Sequence, residues 1–165
     1  MARLDDLNDE PPDRGAAALH ACNAAPRFAD EVLAGRPYRD VDSLVARAEQ
    51  VARSLSWDEV SVALAAHPRI GDRPEGASAE AEASRREQSS MTDADAATRA
   101  ALVEGNRAYE ERFGHVFLIR AAGRAPEEML AELRRRLAND AAAERAEATE
   151  QLAQITGLRV RGLVS

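Results

Sequence analysis

His67 closes an apolar run and is followed at once by Pro68, and its imidazole is the side chain in this stretch best suited to moving a proton near neutral pH. Proline has no amide hydrogen and disfavours helical geometry in the residue before it. His67 is therefore expected as the last residue of a helix or just beyond it, at a rigid corner. A carboxylate brought beside the ring from another helix would set its tautomer and basicity. Glu87, in the run Ser84-Arg85-Arg86-Glu87-Gln88, makes the expected acid/base pair with His67. Ser84 stands three and four residues before Glu87 and Gln88, so on a helix it shares a face with both, and several polar groups can aim at one pocket. Arg159 and Arg161 complete the polar set. The plainer alternative is a histidine capping the last carbonyls of its helix, a glutamate on a solvated face and arginines that relieve a helix dipole.

Other chemistry is weakly supported. His20 with Cys22, or Glu111 with His115, can be drawn as metal ligands, but neither has a zinc-like spacing with a second pair, and Gly114 interrupts the helix between the latter two. Cys22 as a nucleophile lacks an activating base, because His20 two residues away points elsewhere on a helix. A small buried apolar role is expected for it.

The elements that must position these residues are helical. The 165-residue chain is expected to form one domain spanning 1–165; it is 45% hydrophobic and only 4% aromatic, and Ala, Leu, Glu and Arg favour helix. A formal charge of -7 argues against a broad nucleic-acid footprint. A single cysteine permits no intrachain disulfide, which fits a reducing cytoplasm. The acidic N-terminus is not expected to be a secretory signal, no apolar run reaches membrane-spanning length, and the last three residues do not match the peroxisomal tripeptide. A cytoplasmic protein without nucleic-acid or membrane partners is the expectation.

Read along the chain, Leu4 to Asn8 suggests a short turn. Pro11-Pro12 precedes a helix from about Asp13 to Cys22, and Pro26 suits the first turn of the next, ending near Gly35. Arg36-Pro37-Tyr38 is a linker. Asp42 or Ser43 is expected to cap a helix carrying Leu44, Val45, Ala48, Val51 and Leu55. Ser56 and Glu59 have capping-box spacing for a helix running to His67. Residues 71–79 read as a loop and 80–89 as helix. Thr92 is expected to cap a long helix to about Arg112, with Leu102, Val103, Asn106 and Tyr109 near one face, ended by Phe113-Gly114. Phe117-Leu118-Ile119 reads as a buried, largely extended connector. Pro126 opens a helix to about Ala138, and Asn139-Asp140 caps the last, reaching Leu158 or a little beyond. The charges of residues 141–150 are expected on a solvated face. The architecture expected is an all-α bundle of about seven or eight helices with no regular sheet.

The chain resembles the 2-oxo-4-hydroxy-4-carboxy-5-ureidoimidazoline (OHCU) decarboxylases of uric acid degradation. The likeness is carried by Leu7-Asn8, Arg36-Pro37-Tyr38, Ala66-His67-Pro68-Arg69-Ile70-Gly71, Ser84 with Glu87-Gln88, Asn106 with Tyr109, Phe113-Gly114 with Phe117-Leu118-Ile119, Arg136-Leu137 with Asn139, and Ile155 with Leu158-Arg159. The resemblance implies an all-α, commonly homodimeric protein with His67 as catalytic histidine and Glu87 as its acidic partner. It also implies Pro68, Ser84, Gln88, Phe117, Leu118, Ile119 and Arg159 around a small ureido-imidazoline substrate, with no metal or organic cofactor. The sequence departs from the family pattern at His115 and Arg120, where more apolar or small residues are usual, and in residues 21–28, which lack the usual second cysteine and tryptophan. These departures bear on pocket polarity and N-terminal packing, not on the His67/Glu87 pair; two alternatives stand beside the implied reaction, a decarboxylase for a related ureido compound and an inactive binding or interaction protein of the same fold.

Overall fold

The computed structural model describes residues 3–69 and 96–165. Among them are eight helices and no strand: α1 Leu4–Asp9, α2 Pro12–His20, α3 Pro26–Ala34, α4 Val41–Ser54, α5 Trp57–Ala65, α6 Ala96–Phe113, α7 Pro126–Leu137 and α8 Ala141–Val164. The all-α expectation holds. The expected loop at 71–79, the helix at 80–89 with Ser84, Glu87 and Gln88, and the Thr92 cap lie outside the described residues. No helix among the described residues is long and apolar enough to cross a membrane.

The fold divides into two units, one drawn from Met1–Ala63 with Leu152–Ser165, the other from Leu64–Gln151. In the first, α2 packs on α3 and α3 on α4. Leu19, Phe28, Val32, Leu44, Ala48, Val51 and Val60 form its buried interior. Two polar clasps tie α1 to the linker that follows α3. Asn8 donates from Nδ2 to the Tyr38 carbonyl at 2.9 Å and accepts the Tyr38 amide at 2.8 Å, while Arg36 Nη1 donates to the carbonyls of Leu7 and Glu10 at 3.0 and 2.8 Å. Arg36 thus satisfies carbonyls left unpaired at the end of α1. Asn23, fully buried, accepts the Ala25 amide at 3.0 Å and donates to Thr156 Oγ1 at 3.1 Å.

Several boundaries depart from the sequence reading. The stretch from Leu4 to Asn8 is part of a true helix, α1. Asp40, not Asp42 or Ser43, caps α4: its backbone is extended and its Oδ1 accepts the Ser43 amide at 2.7 Å. Helix α5 stops at Ala65, two residues before His67, and α2 stops at His20. Asp140 alone caps α8, accepting the Ala143 amide at 2.8 Å, because the Asn139 amide group is drawn to Glu144 and Glu147. Helix α8 runs on to Val164, past Gly157, whose missing side chain leaves room for the Glu49 side chain. Val103 is 53% exposed although Leu102, Asn106 and Tyr109 are buried, since one residue of helix turns it about 100° from Leu102.

The second unit is built on a cluster of Leu102, Tyr109, Phe117, Ile119, Ala121, Met129 and Leu133, with α6 packed against α7. Helix α6 ends where Gly114, with φ of +79°, turns the chain and donates its amide to the Glu110 carbonyl at 2.8 Å. An L side chain there would be strained.

The capping box at α5 is present as expected, with Glu59 accepting the Ser56 amide at 2.9 Å and donating its own amide to Ser56 Oγ at 3.2 Å. Arg27 adds a bidentate pair to the same carboxylate at 2.8 and 3.0 Å. Its hydrogen bonds, followed by that from the Ser56 amide, hold the Glu59 carboxyl down to about 2 from an ordinary 4.5. A carboxyl depressed on folding contributes stability in full above its unfolded pKa and loses it as pH falls through the folded value. Glu59→Gln is therefore expected to melt below the parent at neutral pH, with the gap closing as pH drops from about 5 to about 2. Thermal unfolding across that range checks this; a gap that does not change with pH would contradict it.

Candidate functional site

His67 lies just beyond the end of α5, as the His-Pro step predicts. Its amide donates to the Leu64 carbonyl at 3.0 Å, a tightened last turn that holds the backbone as proline takes over. The residue is 8% exposed, Pro68 is half-buried, and Arg69 is held on the far side of the corner by Glu110 of α6 at 2.8 Å.

Phe117, Leu118 and Ile119 are all buried and belong to neither helix nor strand. Phe117 and Ile119 join the apolar cluster of the second unit. Among the described residues nothing accepts a hydrogen bond from the amides of Phe117, Leu118 or Ile119, whereas the next amide, that of Arg120, donates to Gln151 Oε1 at 2.8 Å. Buried main-chain donors nearly always have a partner. Among the described residues this run of three amides without acceptors stands apart from the amides around it.

Behind this segment sits a charged group that the sequence reading missed. Arg136 and Glu144 are buried, with side chains 2% and 0% exposed. Arg136 donates from Nε to Glu144 Oε1 at 2.8 Å and also from Nη2 to that oxygen, and its Nη1 donates to the Leu118 carbonyl at 2.6 Å. Tyr109 donates its hydroxyl to Glu144 at 2.5 Å, and Asn139 Nδ2 reaches the second carboxylate oxygen at 3.0 Å. Burial first, and the hydrogen bond to Glu144 second, push the Tyr109 hydroxyl well above its ordinary pKa. The solvated face expected for 141–150 therefore fails at Glu144, where a buried charge is tolerated because it is paired and fully hydrogen-bonded. The available signal was Arg136-Leu137 with Asn139 and Asn106 with Tyr109, polar residues at positions of family likeness.

The two sequence departures occupy this same unit. The half-buried His115 ring meets Tyr109 edge-on, 5.4 Å between centroids, and fills the place of an aromatic neighbour. Arg120 is half-buried, and its Nε has no hydrogen-bond partner among the described residues.

Arg159 and Arg161 belong to the first unit and differ sharply. Arg159 is 8% exposed on α8, five residues before the helix ends, so it is no surface cation at a helix terminus. Arg161 is exposed and pairs with Asp42 at 2.9 Å. Of the expected site residues, the structure thus places His67, Pro68, Phe117, Leu118 and Ile119 in one unit and Arg159 in the other, while Ser84, Glu87 and Gln88 lie outside the described residues. Among the described residues, no group of three or more His, Cys, Asp or Glu side chains could hold a metal ion.

Fold and burial together define an all-α protein whose interior holds polar and charged side chains, among them His67, Asn106, Arg136, Glu144 and Arg159. The sequence model of the OHCU decarboxylase family matches residues 8–161. The chain is 33% identical over 141 residues to the 2-oxo-4-hydroxy-4-carboxy-5-ureidoimidazoline decarboxylase of Amia calva, a match covering 84% of this chain and 81% of that one. It is 31% identical over 153 residues to the uric acid degradation bifunctional protein TTL of Arabidopsis thaliana, covering 87% of this chain and 45% of that protein, so it spans less than half of that relative's length. A crystal structure of OHCU decarboxylase in the presence of (S)-allantoin superposes with a TM-score of 0.74 at 26% identity, covering 88% of this chain and 95% of that one. The chain belongs to the OHCU decarboxylase family.

The difference between the two arginines is testable on the family's substrate. Arg159→Lys and Arg159→Ala are both expected to lower kcat/KM by roughly a hundredfold, the scale of losing one positioned donor, because an ammonium cannot reproduce the planar fork. Arg161→Ala should stay within about threefold of the parent, as befits an exposed pair. Equal, small effects at all three would show that these arginines are solvated charges.

Proposed function

We propose that this protein decarboxylates OHCU to S-allantoin in uric acid degradation, using no metal or organic cofactor, with His67 and Glu87 as the catalytic pair and Pro68, Ser84, Gln88, Phe117, Leu118, Ile119 and Arg159 around the substrate. The observation that carries this reading is the family match across residues 8–161 with His67 buried at the helix corner that matches the family motif.

The substrate carries a carboxylate and a hydroxyl on one carbon, next to an imine. When the bond to the carboxylate breaks, carbon dioxide leaves and the electron pair passes into that imine, so the substrate is its own electron sink. The net change is replacement of carbon dioxide by a proton. His67 moves the proton at the hydroxyl or the neighbouring ring position, and Glu87 orients and polarises the imidazole. The enol-like species is then protonated on one face to give the S product, and the pocket supplies that handedness.

Arg159 is better used on a ureido or ring carbonyl oxygen than on the departing carboxylate. A tight pair with the carboxylate would stabilise a charge that disappears in the transition state and would slow the step. On an oxygen where negative charge develops, the bidentate fork gains strength as the reaction proceeds. The amides of the 117–119 segment, without acceptors among the described residues, suit the same purpose. The reading also takes the protein as one domain-length unit, homodimeric and cytoplasmic, as the family resemblance and the single buried cysteine suggest.

The test uses freshly generated OHCU, with its disappearance compared against the spontaneous decay. The parent protein should accelerate that loss, and His67→Ala and Glu87→Ala should each lower the rate by roughly a hundredfold or more with unchanged far-ultraviolet circular dichroism. Loss of helix in His67→Ala, with full activity in the fraction that stays folded, would make the residue a structural cap. Activity should also survive exhaustive chelation; a stoichiometric metal whose removal abolishes turnover would overturn the cofactor-free mechanism.

A further inference from the structure

The 117–119 segment has no helix or sheet ladder to fix its direction, yet three of its amides are left without acceptors among the described residues. Something other than secondary structure must hold it. Arg136 is placed to do so from behind. Its Nη1 donates to the Leu118 carbonyl at 2.6 Å, while its guanidinium carbon lies over the Phe117 ring, 4.6 Å from its centre. One charged group thus holds two successive residues, one by a hydrogen bond and one by a cation-π contact. A guanidinium presents its donors in a rigid fork, so fixing its plane fixes where the Leu118 carbonyl must point.

The plane of Arg136 is itself fixed. Its Nε and Nη2 both donate to Glu144 Oε1, and Glu144 is held in turn by the Tyr109 hydroxyl and Asn139 Nδ2. Tyr109 returns to the segment, its ring meeting Phe117 nearly edge-on at 5.2 Å between centroids. At the other end, Gln151 takes the Arg120 amide. Burying such a charge pair is an inefficient way to gain stability, since well-packed apolar residues often serve as well. What the pair provides that apolar residues cannot is a directed donor on the Leu118 carbonyl. Because a peptide unit is planar, holding that carbonyl orients the amide of Ile119 in the same unit.

We propose that Arg136 and Glu144 are positioning residues: they hold the Leu118–Ile119 peptide so that the amides of the 117–119 segment face the reacting molecule. This rests on the functional reading above, which assigns those amides to the substrate.

Three proteins are compared: Arg136→Lys, which keeps the charge and loses the fork; Glu144→Gln; and the double variant Arg136→Met with Glu144→Leu, which replaces the buried pair by apolar side chains that tolerate the site. Amide hydrogen exchange at Leu118 and Ile119 is measured without substrate, together with kcat and KM for OHCU and the melting temperature. The expected result is exchange at those amides faster by about tenfold or more, and kcat lower by roughly a hundredfold with a smaller change in KM, as misplacement of a binding group produces. The double variant should show both effects and melt below the parent, because the Tyr109 hydroxyl, Asn139 and the Leu118 carbonyl lose their partners. Exchange at Leu118 and Ile119 is therefore read against that of the buried helical amides of α6 and α7, which separates local loss of geometry from global loss of stability. Parental exchange and parental kcat in the folded double variant would overturn the proposal and leave the pair as core packing. If the parent itself fails to turn over OHCU, the functional reading falls, and the exchange measurement still decides whether the pair orients the segment.

Discussion

A guanidinium and a carboxylate buried together leave their neighbours little freedom, because each donor and acceptor removed from water must be matched inside or its desolvation goes uncompensated. Around Arg136 and Glu144 that requirement recruits the Tyr109 hydroxyl, the Asn139 amide and the Leu118 carbonyl. Three pieces of chain meet there: the middle of α6, the end of α7 with the start of α8, and the irregular segment that follows Gly114. The apolar cluster of the second unit packs the same rings, since Tyr109 and Phe117 belong to both. Apolar burial supplies driving force without direction. The polar group supplies direction, and it acts on a buried stretch of this unit that lacks a backbone ladder among the described residues.

Local chemistry made most of the fold legible in the sequence. Pro12, Pro26 and Pro126 each open a helix at its first position, Ser56 with Glu59 caps α5, and Gly114 ends α6. These signals act over three or four residues, and the chain obeys them wherever nothing distant competes. Departures came where local signals competed or a distant residue decided. Asp40, Asp42 and Ser43 are all competent caps, and the extended backbone at Asp40 chooses among them. The last helix, expected to reach Leu158 or a little beyond, runs on to Val164, with Gly157 inside it making room for the side chain of Glu49. Glu144 reads as one more charge on a solvated helix face, and only the partners brought by α6 and α7 make it an interior residue.

The site was legible in a different way. The His-Pro step places His67 at a corner by backbone sterics alone, and burial of Phe117, Leu118 and Ile119 follows from their apolar character. Nothing local distinguishes Arg159 from Arg161, two arginines separated by one valine on a helix. Their opposite fates follow from helical geometry, which sends residues two apart to different sides. The chemistry attached to these residues came from family likeness, and likeness also marked Arg136, Asn139 and Tyr109 without saying what they do. Their contacts give a reason: they are tied to the geometry of the 117–119 segment.

A substrate that accepts its own electrons asks little of a protein beyond proton placement, oxygen-directed donors and a one-sided pocket. The first two can be imitated by buffer and solvent. Handedness cannot. The most direct test of the account is therefore the optical activity of the allantoin formed when freshly generated OHCU is mixed with the protein, followed by circular dichroism from the first seconds. The account predicts accumulation of the S form well ahead of spontaneous decay. Racemic allantoin appearing at the spontaneous rate would contradict it.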